Sequence, residues 1–264
     1  MQWGQNQTEE LRNSKLEDQN KVVSINVDGH TVTESRSERL LGLIVNNTMT
    51  WKHHLYGNDD HQGLIPKLSQ RAGIIGRLSF IMPKEKLKTI AEGIFFSLMN
   101  YCIEIVGNVW GLESYDEMDR QSTAFRKEDN SKLQIIMNKV LRSLTGMDRD
   151  TPVSVLTAAS GQLSVHQRTA LFTLTSVHKA MKSKEPSYSF NQLGLNQHHL
   201  ETGRHHANCS RTEYKLSISR CGYFYRGSRL YNQIPSSLAS TSRQSIFKKA
   251  AKQWVRDNVP LHPP

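Results

Sequence analysis

The apolar positions change period once along this chain, near Trp51. Upstream, Val22 to Val32 alternates, with Val23, Ile25 and Val27 on one face and Ser24, Asn26 and Asp28 on the other. Alternation of that kind predicts strand, and Asp28-Gly29 supplies a tight-turn signal. Leu40 to Val45 is a short aliphatic run with Gly42 inside it, which predicts a strand whose backbone is closely approached. The chain is therefore expected to begin as a small antiparallel sheet.

After Trp51 the spacing becomes helical. Leu64, Leu68, Ala72, Ile75, Leu78 and Met82 fall on one stripe, and Lys67, Arg71 and Arg77 lie off it. Pro83 punctuates. Leu87, Ile90, Ala91, Ile94, Phe95, Leu98 and Cys102 make a second stripe. Leu133, Ile136, Met137, Val140, Leu141 and Leu144 make a third, with Gly146 as its C-terminal stop. Thr151-Pro152 is a helix-start pair. Ala170, Leu171, Leu174, Val177, His178 and Met181 carry a further helix. Such stripes are the core faces of a helical bundle before they are anything else.

Pro186 to Asn208 is polar and aperiodic, the pattern of a loop. Leu216 to Tyr225, ending in Tyr223-Phe224-Tyr225, reads as a strand. Ser242 is expected to cap a last helix. Ile246, Phe247, Ala250, Ala251, Trp254 and Val255 form its apolar face, opposite Lys248, Lys249, Lys252 and Arg256. The expected architecture is mainly α, a helical bundle, with a small N-terminal β-hairpin and a short β element near the C-terminus. By segment this gives 1–20 disordered or a remnant, 21–50 β-hairpin, 51–185 helical bundle, 186–210 loop and 211–258 a basic C-terminal segment.

Composition adds limits. A length of 264 residues with 37% hydrophobic and 22% charged residues allows one large domain or two small ones. No uninterrupted apolar run reaches the roughly 18 residues of a membrane span, so no membrane partner is expected. Met1 to Asn20 lacks the pattern of a secretory signal. Cys102, Cys209 and Cys221 are too few and scattered for a disulfide framework. A cytoplasmic or nuclear location is expected.

Charge is unevenly placed. The net +10 arises in the second half: residues 1–132 hold 16 Lys/Arg against 18 Asp/Glu, and residues 133–264 hold 18 against 6. From Arg204 to Arg256 there are eleven basic residues and one acid, Glu213. A concentrated positive charge suits a polyanion, bound through its phosphates with release of counterions. A merely solvated basic surface is the plainer alternative.

Three constellations invite chemistry. Tyr56-Gly57-Asn58-Asp59-Asp60 looks like an aromatic followed by the paired aspartates that hold two magnesium ions in polymerases. Its flanks, His53-His54-Leu55 and His61-Gln62-Gly63, are not strands, so it is expected to be an acidic loop and not a metal site. His198, His199, His205, His206, Cys209 and Cys221 are zinc-ligand types, but their spacing matches no standard finger. They are expected to be polar loop residues. No nucleophile elbow, triad order or phosphate-cradling glycine loop is present, and no small-molecule substrate is evident. The strongest positive signal is the basic C-terminal segment. There Arg226 and Arg229 flank Gly227-Ser228 behind three aromatics, and Lys248, Lys249 and Lys252 share one side of a helix.

Three blocks recur in a telling order: Leu40-Leu41-Gly42-Leu43-Ile44-Val45 with Trp51-Lys52-His53-His54; Leu141-Arg142-Ser143-Leu144-Thr145-Gly146; and Arg226 to Pro235 leading to Phe247-Lys248-Lys249. Together they resemble the region after the catalytic palm of a non-long-terminal-repeat, jockey-like retrotransposon reverse transcriptase. The resemblance runs from about Val22 to Val255 and implies several assignments. Leu41-Gly42 would be the primer-grip hairpin, with Gly42 close to the primer. Trp51 to His54 would enter the helical thumb. Tyr101 and Trp110-Gly111 would lie mid-thumb. Leu141 to Gly146 would be a helix end, and Tyr231-Asn232, Pro235 and Phe247-Lys248 the closing segment. Fingers, palm and catalytic aspartates are missing from the resemblance, and Arg120 to Ser131 departs from it.

The expected function is thus the template–primer binding portion of a retrotransposon RNA-directed DNA polymerase. It would grip an RNA–DNA or DNA duplex through the phosphate backbone with Arg226, Arg229, Lys248, Lys249 and Lys252. No catalytic residue and no cofactor is expected from this chain, magnesium entering only with a complete palm. A helical protein-interaction scaffold, or a non-functional relic of a mobile element, is the alternative.

Overall fold

The computed structural model describes residues 24–48, 50–109, 125–193, 209 and 222–263, and the chain divides into two compact units, Met1–Thr48 and Met49–Pro264. It is mainly α with small antiparallel hairpins, as the periodicities predict.

The first unit holds two hairpins. β1 (Ser24–Val27) pairs with β2 (His30–Thr33), Ile25 facing Val32. Asp28 and Gly29 form the turn with φ of 50° and 81°. Both values are positive, as a two-residue turn matching the strand twist requires. Ile25, Val27 and Val32 share one exposed face. β3 (Ser37–Leu40) pairs with β4 (Leu43–Asn46) through the same kind of turn at Leu41-Gly42, with φ of 48° and 86°. Gly42 therefore sits in the turn and not inside a strand, which corrects the reading of Leu40 to Val45 as one strand.

The second unit is helical. α1 (Lys52–Tyr56) leads to α2 (Leu64–Leu78), which buries Leu64, Leu68, Ala72 and Ile75. α3 (Lys84–Ala91) continues through a π turn, Glu92–Phe96, into α4 (Ser97–Asn100). The π turn explains a departure from the predicted stripe. Leu87, Ala91 and Phe95 form the buried row into the turn; within it the row shifts one residue, to Phe96, and continues at Met99 and Ile103. One extra residue rotates the face, as π turns do. Arg71 from α2 donates to the Ile94 carbonyl inside the turn. Cys102, predicted on the stripe, instead adopts a left-handed conformation (φ 54°) ahead of α5 (Ile103–Val106). Lys84–Val106 is long and apolar enough on average to span a membrane, but much of its apolar side packs inside this unit.

α6 (Lys127–Thr145) ends at Gly146 in the left-handed region (φ 75°), as predicted. α7 (Val153–Ser160) follows Pro152 and ends at Gly161, φ 67°. α8 (Val165–Ser183) is the central helix. Its start is closed by a capping box: Ser164 Oγ accepts from the Gln167 N–H at 3.2 Å, and Gln167 Oε1 accepts from the Ser164 N–H at 3.3 Å. Ala170, Leu174 and Val177 are fully covered. α9 (Ser187–Leu193) lies where a loop was expected.

α10 (Tyr223–Tyr231), α11 (Ser236–Ala239) and α12 (Gln244–Asn258) complete the bundle. Tyr223-Phe224-Tyr225 is thus helical, against the predicted strand; residues 210–221 lie outside the described residues. Period decides the matter. Ser228, Leu230, Tyr231 and Ile234 are buried, a helical spacing that outweighs the strand preference of three aromatics. Gly227 lets α10 approach closely, since a β-carbon there would stand 2.8 Å from Val177 Cγ2.

Candidate nucleic-acid interface

α12 is seated before its charges are presented. Phe247, Ala251 and Val255 are buried, and the Phe247 ring stacks on the His178 imidazole of α8. Gln244 Nε2 donates to the Thr175 carbonyl at 2.9 Å, and Gln167 Nε2 donates to the Val259 carbonyl at 2.9 Å. α12 therefore runs antiparallel to α8, anchored at both ends. Ile246 and Ala250, predicted on the apolar face, are exposed instead. Arg243 occupies the capping position without a side-chain cap, so Ser242 does not cap this helix.

That seating fixes the neighbouring row, which flanks the buried face and does not lie opposite it as predicted. Lys248, Lys252 and Arg256 recur every four residues and share one side of α12. Lys248 Nζ lies 5.7 Å from the centre of the Phe172 ring. Lys252 Nζ and Arg256 Nη2 both donate to the Gly161 carbonyl, at 3.1 and 2.9 Å. That carbonyl lies at the C-terminal end of α7, where a helix presents partial negative charge. Lys249 is exposed on the same helix.

The row is not isolated. Burial lowers the Lys252 ammonium below the usual lysine range, and neighbouring Arg256, Arg168 and Lys88 lower it further, against Glu92. Lys88 belongs to α3. It lines a cleft of about 280 Å³ together with Lys84, Thr145, Met147 and Ser160. Lys84 Nζ donates to the Thr145 carbonyl at 2.8 Å, closing the end of α6. Two helix ends, at Thr145 and Gly161, are thus each met by lysine or arginine, and these cations of α3 and α12 form one band past the end of α7, bordered by Glu85 in the cleft and Glu92 near Lys252.

Arg168 supports the band from inside. Its Nε donates to the Leu163 carbonyl at 3.2 Å and its Nη1 to Asn100 Oδ1 at 3.2 Å. Nη2 donates to Gln162 Oε1, whose amide nitrogen donates to Glu92 Oε1 at 2.8 Å. The guanidinium stands 4.3 Å from the Phe96 ring centre, and burial lowers it to about 10. Lys88, Arg168 and Glu92 did not emerge from the sequence. The one available signal was the four-residue spacing of Lys84 and Lys88.

The remaining predicted contacts fall elsewhere. Arg226 is only 3% exposed. Its Nη2 donates to the Ile105 carbonyl at 3.0 Å and its Nη1 to the Gly107 carbonyl. A guanidinium committed to the carbonyl end of α5 is not presented to a phosphate, so Arg226 is a structural residue. Arg229 is half-buried with its guanidinium 4.2 Å from the Tyr225 ring centre. Gly42 lies in the first unit, at its turn.

Asp59 and Asp60 sit exposed at the tip of a tight loop, closed by Asn58 N–H to the His61 carbonyl (3.0 Å) and His61 N–H to Asn58 Oδ1 (2.7 Å). This is the acidic loop the flanks predicted. Of the zinc-type residues, His198, His199, His205, His206 and Cys221 lie outside the described residues. Cys209 is buried, its thiol raised to about 12 by burial, with its N–H donating to Asn232 Oδ1 at 2.8 Å. Among the described residues no group of three or more His, Cys, Asp or Glu could hold a metal ion. No family model, curated protein or solved structure matches the chain.

Proposed function

We propose that this chain binds a nucleic-acid duplex through its phosphate backbone, as the template–primer-holding portion of a retroelement reverse transcriptase. One observation carries the reading: Lys252 and Arg256, one turn apart on α12, converge on the Gly161 carbonyl, beside the cleft that Lys84 and Lys88 of α3 line with Ser160. Cations held together against their mutual repulsion form a site that a polyanion relieves. Lys248 extends the row by a helical turn, and Lys84 extends it along α3. The sequence resemblance to the region after the palm supplies the class of duplex, an RNA–DNA hybrid, and assigns the Leu41-Gly42 turn to the primer end.

Titration of a labelled RNA–DNA hybrid over a salt series tests this reading. Each phosphate neutralised contributes roughly 0.7–0.9 to the slope of log affinity against log salt. Lys248→Glu with Lys252→Glu is expected to weaken binding and flatten that slope by about two contacts. Undetectable or salt-insensitive binding by the unaltered protein would favour a protein-interaction scaffold.

A further inference from the structure

The turn between α2 and α3 displays two large apolar side chains to solvent. Phe80 is 91% exposed and Ile81 78% exposed. Their backbone is fixed. Phe80 N–H donates to the Arg77 carbonyl at 3.4 Å, Ile81 N–H to Leu78 at 3.1 Å and Met82 N–H to Leu78 at 2.9 Å. Ser79 Oγ donates to the Gly76 carbonyl at 2.7 Å. The turn is thus a firm point at the end of two packed helices.

The chain on either side of it is cationic. Between Arg77 and Lys88 lie four basic residues, Arg77, Lys84, Lys86 and Lys88, and one acid, Glu85. Lys84 and Lys88 line the cleft that joins α3 to the ends of α6 and α7, and Lys88 acts electrostatically on Lys252. Only Met82 and Pro83 separate the apolar point from Lys84, which begins the α3 part of the cationic band.

We propose that Phe80 and Ile81 form a wedge for nucleic acid bound along that band, with Phe80 stacking on an unpaired base and Ile81 packing beside it. The inference rests on the duplex-binding function proposed above and adds a base contact to a backbone grip. Size favours this occupant over others. A specific protein interface buries about 1,000 Å² or more, and even a single acyl chain anchors only marginally to a membrane. Two side chains suffice to occupy one base step, because every base offers an apolar face to an aromatic ring. The basic residues on either side of the point in the chain, Arg77 before it and Lys86 and Lys88 after it, suit the flanking phosphates.

An RNA–DNA hybrid carrying a single unpaired fluorescent aminopurine at its end tests the proposal. The unaltered protein and Phe80→Trp should quench the aminopurine on binding. Phe80→Ala with Ile81→Ala should leave it bright and lose roughly tenfold in affinity, at an unchanged salt slope. Both positions are solvent-exposed, so the variants keep their fold. Unchanged quenching and affinity in the double variant, with normal salt-dependent binding, overturns the wedge and leaves the grip standing. Absence of any hybrid binding overturns both. If the double variant instead loses binding to phosphatidylserine vesicles, or dissociates a dimer in sedimentation, while its hybrid affinity holds, the wedge is likewise overturned.

Discussion

The imidazole of His178 lies flat on the phenyl ring of Phe247, with centroids 3.6 Å apart and planes within 1°. His178 Nδ1 is 2.8 Å from the Tyr231 hydroxyl. Three helices, α8, α10 and α12, thus meet on one neutral imidazole. Burial lowers His178 to about 4, with Lys182 adding to the effect, and burial likewise lowers His54 and His166 to about 4. A folded-state value below the unfolded one means the unfolded chain binds the extra protons first. Stability from these sites is complete above about 6.5 and drains as pH falls through 4. Thermal unfolding followed from pH 7.5 to pH 4 should show a falling midpoint, and His178→Gln should flatten part of that fall. A midpoint independent of pH in this window would contradict the neutral, buried assignment.

Removal of the Phe247 ring tests the same junction without titration. Its side chain is fully covered, so Phe247→Ala should cost about 3–5 kcal/mol in denaturant unfolding. A loss under about 1 kcal/mol would mean that α12 is not docked on α8, and the cationic row would lose its support.

Much of this arrangement could be read from the residues, and the exceptions have physical causes. The stripe Ala170, Leu171, Leu174, Val177, His178 and Met181 predicted α8 because all its members face the core, Met181 at its half-buried edge. Gly146 stopped α6 as predicted, because only glycine takes the left-handed position at no steric cost. Three things were not legible. The π turn at Glu92–Phe96 has no residue signature, nor has the helix break at Tyr101 that puts Cys102 in a left-handed conformation off its stripe. Tyr223-Phe224-Tyr225 has strand preference but buries at helical spacing once α8 is beside it. Arg226 looked like a phosphate ligand because a sequence shows charge without showing the Gly107 and Ile105 carbonyls that use it. The cationic band was half legible: the α12 row was visible, but Lys88 and Arg168 join it only through tertiary packing.

Arg226 gives a prediction that separates structural from binding roles. Arg226→Met leaves two carbonyl groups at the end of α5 without their guanidinium partner. Hydrogen bonds to a charged group contribute about 1.5–3 kcal/mol. Arg226→Met should therefore lower unfolding free energy by about 3 kcal/mol, while the salt slope of hybrid binding stays unchanged. A flattened slope at unaltered stability would return Arg226 to the phosphate-contacting set.

The second turn of the first unit offers a local test. Leu41 holds φ of 48° and is 84% exposed. A left-handed conformation costs a leucine roughly 1–2 kcal/mol, and asparagine tolerates it better. Leu41→Asn creates the favoured Asn-Gly pair of a two-residue hairpin. Amide exchange in β3 and β4 should slow by about fivefold, corresponding to about 1 kcal/mol. Faster exchange would mean that the exposed leucine makes a contribution that outweighs its backbone cost.

Gly227 tests the closeness of α10 and α8. A β-carbon at this position would lie 2.8 Å from Val177 Cγ2 and 3.6 Å from Thr173 Cγ2. The first distance forces a shift and the second is ordinary contact, so the conflict is with one methyl group. Gly227→Ala should cost about 1–3 kcal/mol despite the higher helix propensity of alanine. Val177→Ala removes that methyl and opens a small cavity, itself destabilising. Combined, the two changes should cost at least 0.5 kcal/mol less than the sum of the single costs, the signature of neighbours that share one space. Strict additivity would mean that the helices do not approach as closely as the Gly227 backbone indicates.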